Sequence, residues 1–282
     1  MPNDYNNYNN NYNNYNNYNG GSGDGNYNQY YNQNNYNNYY NQNGFDPYGA
    51  NPAARSPYAV QQQARYSIKD VMARTFLFMT VALLLTAITS LAVYTTNPYF
   101  LIQNGLSTFW ILAILEIGIV IGATFAIKAN NVMLSGILFI AYSIINGLTL
   151  SVIFLVYTES SIATIFFLTA GLFGVMAIVG FTTDRDLTSF GNLLLIGLFG
   201  IIVASLINFF LKSSGLDYAL TILGIAIFLG LTAYDTQKIK NMAANNPGYS
   251  LTVIALYGAL ELYLDFINLF LKLLRLLGKA KN

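Results

Sequence analysis

From residue 71 onward the chain alternates long apolar runs with short polar connections, and each run is close to the ~20 residues that a helix needs to cross a ~30 Å hydrocarbon core. The runs fall at 71–93, 108–127, 132–156, 162–181, 191–211, 216–234 and 251–277, which predicts an all-α, polytopic membrane protein with about seven transmembrane helices. None of the runs contains a proline, whereas Pro98 and Pro247 punctuate connections. Small residues recur within them, as in Gly118 with Gly122 and Gly171 with Gly174, and such spacing predicts places where helix backbones approach closely in lipid.

The stretch before the runs follows another pattern. Residues 1–64 are dominated by Asn, Tyr, Gln and Gly, with Asn-Asn-Tyr triplets ending at Tyr12, Tyr15 and Tyr18. With almost no aliphatic side chains, this segment cannot bury enough apolar surface to offset chain entropy, so a disordered tail is expected ahead of a membrane domain at 65–282. Pro47, Pro52 and Pro57 mark a linker into Gln61-Gln62-Gln63. No apolar core of a cleavable signal peptide is visible, so the first apolar run is expected to direct insertion.

Lys and Arg set the expected orientation, because the cytoplasmic side of a membrane collects them. Arg55, Arg65, Lys69 and Arg74 precede or open the first run, and Lys128, Arg185, Lys238 and Lys240 lie in or beside the second, fourth and sixth connections. The first and third connections hold none and the fifth only Lys212. A multi-pass protein of the cell (inner) membrane with a cytoplasmic N-terminus is therefore expected. Lys272, Arg275, Lys279 and Lys281 do not fit that alternation, so the seventh segment is either re-entrant or carries a basic tail to the outside.

Composition narrows the chemistry. Hydrophobic residues make up 54% of the chain and charged ones 9%, against roughly 25% charged in a soluble domain. A net charge of +1 offers no basic field for a nucleic-acid backbone. With no Cys and no His, thiolate catalysis, imidazole bases and the usual zinc sites are excluded, and any pH sensing must come from carboxylates. No tightly bound cofactor is expected.

An ionisable group inside a span costs at least about 2.5–3.5 kcal/mol on insertion scales, which makes each one a functional candidate. Glu116 lies near the middle of the second run, Asp235 at the end of the sixth, and Glu261 and Asp265 within the seventh. In the seventh run Glu261, Asp265, Asn268, Lys272 and Arg275 are spaced alternately four and three apart, so one polar stripe runs along an apolar rod. Such a stripe faces a bundle interior or a water-filled path, or it simply joins helices by hydrogen bonds. Asp235, where apolar sequence meets a basic connection beside Tyr234, also fits an interfacial anchor.

Tyr234-Asp235-Thr236-Gln237, the segment Leu262-Tyr263-Leu264-Asp265-Phe266-Ile267-Asn268-Leu269-Phe270 and the closing Leu-Leu-Arg-Leu-Leu-Gly resemble the Bax inhibitor-1 family, including its bacterial members. The resemblance spans about residues 68–278. It implies seven helices with the last one central and a pH-sensitive calcium leak. It also implies that Asp235 and Asp265 are the aspartates that share a proton, gate the path and bind calcium weakly in transit. Glu116 matches an acid on the second helix, and Lys128 falls near a latch position where relatives can carry arginine. Glu261 stands where relatives commonly have a small or neutral polar residue.

Physical chemistry is consistent with such a gate. Two carboxylates held close in low dielectric titrate jointly, hydrogen-bond when protonated, and repel each other when both are charged. Deprotonated, they offer hard oxygen ligands to Ca²⁺, and a few acids suit weak transit better than storage. Two other functions compete. Aspartates on two late helices also resemble presenilin-like intramembrane aspartyl proteases, although Leu262-Tyr263-Leu264-Asp265 lacks their Gly-x-Gly-Asp. Some bacterial relatives are linked to modulation of a membrane-anchored AAA protease, which would make such a protease a partner and this chain a regulator without transport.

Overall fold

The computed structural model describes residues 57–99, 105–245 and 248–281. The chain divides into Met1–Val60 and Gln61–Asn282, and the architecture below is that of the second unit. Most of the tail expected at 1–64 lies outside the described residues; helix already begins at Pro57, within that expected tail. Proline suits a first helical position because the amide it lacks would be unpaired there anyway.

Among the described residues, seven helices are long and apolar enough to cross a membrane. They are α1 (Pro57–Thr96), α2 (Gly105–Lys128), α3 (Val132–Leu150), α4 (Glu159–Thr182), α5 (Thr188–Leu211), α6 (Ser214–Asn245) and α7 (Leu251–Leu277). A short helical turn, Ile153–Val156, continues α3. The break between them lies at Ser151, whose N–H is shared between the Gly147 and Leu148 carbonyls and whose hydroxyl donates to Leu148 O at 2.7 Å.

Local chemistry sets several ends. Asn130 takes a left-handed conformation (φ 53°) after α2, and the Asn131 side chain then caps α3 by accepting from Leu134 N at 2.9 Å. The Ser250 hydroxyl caps α7 through Val253 N at 3.2 Å. Another departure from the apolar runs is in α6, which continues well past residue 234. Hydropathy ends a run where polarity begins, but the backbone ladder continues, and buried Thr236, Gln237, Ile239 and Ala243 keep the extension packed. Lys238 and Lys240 therefore stand on a helix and not in a connection.

The last helix is the centre of the bundle. Across its most apolar stretch 78% of α7 is buried, against 11% for α5 and 44% for α3 and α6. It packs on α2, α3, α4 and α6, while α5 packs on α6. Polar contacts join it to α1: Arg74 Nη1 donates to Thr252 Oγ1 at 3.1 Å, and the Thr86 and Tyr263 hydroxyls lie 2.6 Å apart. Aromatic edges complete the core, with Phe166 and Phe173 of α4 against Phe266, and Phe139 and Tyr142 of α3 against Tyr263. Outward faces are apolar, as at Leu84 and Ile88 of α1 or Phe199 and Phe210 of α5, which suits contact with lipid.

Close backbone approach occurs at other glycines than those the spacing predicts. No atom lies within 4 Å of where a Cβ on Gly118, Gly171 or Gly174 would stand, and at Gly122 the nearest is Leu138 Cδ1 at 3.6 Å. A Cβ on Gly180 of α4, in contrast, would collide with the Ala233 backbone of α6, and one on Gly191 of α5 would enter the Tyr234 ring. Spacing alone does not say which face of a helix meets a partner.

α7 is one continuous helix of 27 residues, about 40 Å long at 1.5 Å per residue. Its start lies at the end of the bundle that holds Arg74 and Asn130, where Ser250 N donates to Asn130 Oδ1 at 2.9 Å. Its far end lies with the ends of α1 and α3. There Lys281 Nζ donates to Tyr94 OH at 2.8 Å, Lys281 N to Val156 O at 2.8 Å, and Tyr157 forms a bridge with Ala280. The seventh segment is thus one unbroken helix from one end of the bundle to the other, and its basic tail is pinned at the end opposite Arg74.

Candidate functional site

The polar stripe of α7 runs along its seam with α6. The two helices are antiparallel, so residue numbers fall on one as they rise on the other. Glu261 meets Lys238, Asp265 meets Asp235, the Lys272 stem lies against Gly224, and Arg275 pairs with Asp217. Asn268 turns its amide back to its own helix, donating to Leu264 O at 2.8 Å.

At the centre of the seam the Asp235 and Asp265 carboxyls face each other as hydrogen-bonding neighbours, each only 5% exposed. Asp235 lies about three turns from the end of α6 and Asp265 about four turns from the start of α7. Asp265 Oδ2 is buried without a hydrogen-bond partner among the described residues. Nearby hydroxyls do not serve the acids: Thr232 and Thr236 donate to the carbonyls of Phe228 and Thr232 on their own helix, at 2.8 and 2.7 Å.

One turn toward the Arg74 end of the bundle, Lys238 Nζ stands 3.8 Å from Asp235 Oδ1 and 3.8 Å from Glu261 Oε1. It also lies 5.0 Å from the centre of the Tyr257 ring and 5.8 Å from that of Tyr234. Lys238 and Tyr257 are the site residues that the sequence reading missed. A signal was present in the spacing, since Lys238 is three residues from Asp235 and Tyr257 four from Glu261, which places each beside an acid on its helix.

Gln237 brackets the connection between α4 and α5, donating from Nε2 to Arg185 O and accepting from Leu187 N, both at 2.8 Å. Lys240 Nζ adds a bond to Phe181 O at 2.8 Å. In that connection the Thr188 hydroxyl and N–H hold the exposed Asp186 carboxyl below the usual aspartate range. Between connection and helix a depression of about 340 Å³, lined by Thr188, Tyr234, Gln237, Lys238 and Asn241 among others, opens onto Lys238.

Glu116 belongs to a second cluster on another side of α7. It accepts from the Thr149 hydroxyl at 2.8 Å and bonds the Asn146 side chain. Asn146 Oδ1 in turn accepts from the Tyr263 hydroxyl at 3.0 Å. Lys128 is exposed at the end of α2 and forms no ion pair with Asp235; the lysine beside Asp235 is Lys238 of α6. Among the described residues no three Asp or Glu side chains converge into a metal-holding group.

Residues 68–282 match the family model described as "Inhibitor of apoptosis-promoting Bax1". The chain belongs to the Bax inhibitor-1 family. It is 44% identical over 231 residues to the inner membrane protein YbhL of Escherichia coli K12, covering 78% of this chain and 95% of the relative. It is 40% identical over 221 residues to an uncharacterized protein of Rickettsia prowazekii, covering 76% and 92%. A protein of Borreliella burgdorferi is 40% identical over 227 residues, covering 79% and 97%. The Bax inhibitor-1 match thus contains the whole seam between α6 and α7, while residues 1–67 fall outside it.

Proposed function

We propose that this Bax inhibitor-1 family protein is a pH-sensitive cation leak channel that passes calcium across the inner membrane. It is a channel and not an enzyme, with its N-terminus in the cytoplasm. Asp235 and Asp265 form the gate. The observation that carries this reading is the placing of two buried carboxyls face to face between the central helix and α6, with one carboxyl oxygen lacking a partner among the described residues.

A buried acceptor without a donor is costly, and a proton shared between the two carboxyls satisfies it and ties α6 to α7. Losing that proton leaves two like charges in low dielectric, which drives the helices apart or draws in a cation. Calcium is cargo here: it favours carboxylate and carbonyl oxygens, and a pair of aspartates with Glu261 nearby supplies too few ligands to hold it tightly. Weak binding allows exit as well as entry. Asn268 lies one turn beyond the pair, whereas Glu116, bonded to Thr149, and Lys128, exposed at the end of α2, lie apart from it.

Calcium flux into proteoliposomes across a range of pH tests the reading. Asp235→Asn and Asp265→Asn are expected to abolish the pH dependence; unchanged flux and unchanged pH dependence in both would overturn it. Facing aspartates also meet the needs of an intramembrane aspartyl protease. Cleavage of a membrane-spanning reporter, lost in the same two variants, would favour that activity instead.

A further inference from the structure

Among the described residues, Lys238 is the one cation that the fold places against the acids of the proposed gate. Its position is unlike that of a closed salt bridge. At 3.8 Å from both Asp235 Oδ1 and Glu261 Oε1 the ammonium is too far for a direct hydrogen bond to either, and it sits midway between acids of two helices. The side chain is 33% exposed, at the floor of the depression described above. Two tyrosine rings flank it, Tyr257 at 5.0 Å and Tyr234 at 5.8 Å, within the distance at which an aromatic face attracts a cation. Lysine is a compact charge on a flexible four-carbon stem, so it can move between carboxylates and rings without a change in the backbone.

We propose that Lys238 is a tethered cation that occupies the acid cluster in the resting protein, and that a divalent cation entering from the depression displaces it onto the tyrosine faces. The inference rests on the cation-channel reading and adds its regulation. Two features support competition. The groups that face the ammonium are Asp235 and Tyr234 of α6 and Glu261 and Tyr257 of α7, with Asp265 behind them, so each acid that would attract calcium also attracts Lys238. Asp265 Oδ2 meanwhile lacks a partner in the buried part of the same cluster, an oxygen that Lys238 does not serve and an incoming cation can use. Glu261 is the second arm that holds the lysine in place.

Equilibrium binding of ⁴⁵Ca²⁺ to the full chain in nanodiscs tests this directly. Lys238→Gln is expected to tighten binding roughly fivefold by removing a competitor ion-paired to buried Asp235 and partly exposed Glu261, and Lys238→Arg to stay within about twofold of wild type. Absence of any gain in Lys238→Gln overturns the proposal, whether or not wild type binds measurably. If that variant does not fold, the wild type provides the test: acylation of Lys238, read by peptide mass spectrometry, should accelerate when calcium is added, and an unchanged rate overturns the proposal. Wild-type proteoliposomes that pass no more calcium than empty vesicles would sink the leak reading itself. Flux with unaltered binding in Lys238→Gln would sink only the role of Lys238.

Discussion

Tyr263 and Asp265 are two positions apart on α7 and serve different neighbours, which shows how much one helix position decides. Tyr263 is fully buried, donates to Asn146 and shares a short hydrogen bond with Thr86, so it ties α7 to α3 and α1. Asp265 faces α6. Tyr263→Phe removes the hydroxyl and leaves the Asn146 oxygen without that donor, so it is expected to cost about 1–3 kcal/mol, read as a lower midpoint of thermal unfolding in detergent. An unchanged midpoint would mean that the network carries no net stability. At this scale the acids were legible in the sequence because a charge in an apolar run is rare. Lys238 was not, because a lysine at the edge of a run reads as part of a polar connection until the helix is seen to continue.

At the scale of elements, α6 is held by α7 along the polar seam, by α5 at Gly191 and by α4 at Gly180. A methyl group on Gly180 meets main-chain atoms of Ala233, and a backbone cannot turn aside as a side chain can. Gly180→Ala is therefore expected to destabilise the protein by about 1–3 kcal/mol. The control, Gly171→Ala, has open space around it and is expected to be neutral or stabilising by up to about 1 kcal/mol, since alanine is the better helix former. Thermal unfolding of the two variants side by side checks the contrast; equal losses would mean that the tight approach at Gly180 relaxes freely. The outer end of the seam contributes less. Arg275 and Asp217 are 54% and 32% exposed, and such a pair adds about 0–1 kcal/mol at most.

For the whole molecule, α7 is enclosed by the other helices and pinned at its far end by the tail from Lys279 to Lys281. The Asp235–Asp265 pair proposed as the gate lies inside that enclosure, between α6 and α7, and the family match begins only at residue 68. Removal of residues 1–56 is accordingly expected to leave calcium flux and its pH dependence within about twofold of the full chain. Proteoliposome flux of the truncated protein checks this, and a large loss would assign the tail a part in conduction. Pull-down of a membrane protease by full and truncated chains then tests partner binding separately from transport.

Hydropathy along the chain determined the class of protein and the seven spans and singled out four acids, of which Asp235 and Asp265 are buried, because lipid imposes a length and a polarity on every crossing segment. The α7 spacing determined that its polar residues share one face. Only the tertiary structure decided that this face meets α6, that Asp235 and Asp265 lie opposite each other, that Glu116 belongs to another cluster, and that Lys238 and not Lys128 sits at the acids. Pairing across helices depends on depth and rotation, and those are set by packing at positions such as Gly180 and Tyr263. Hydropathy and helical period carry neither quantity.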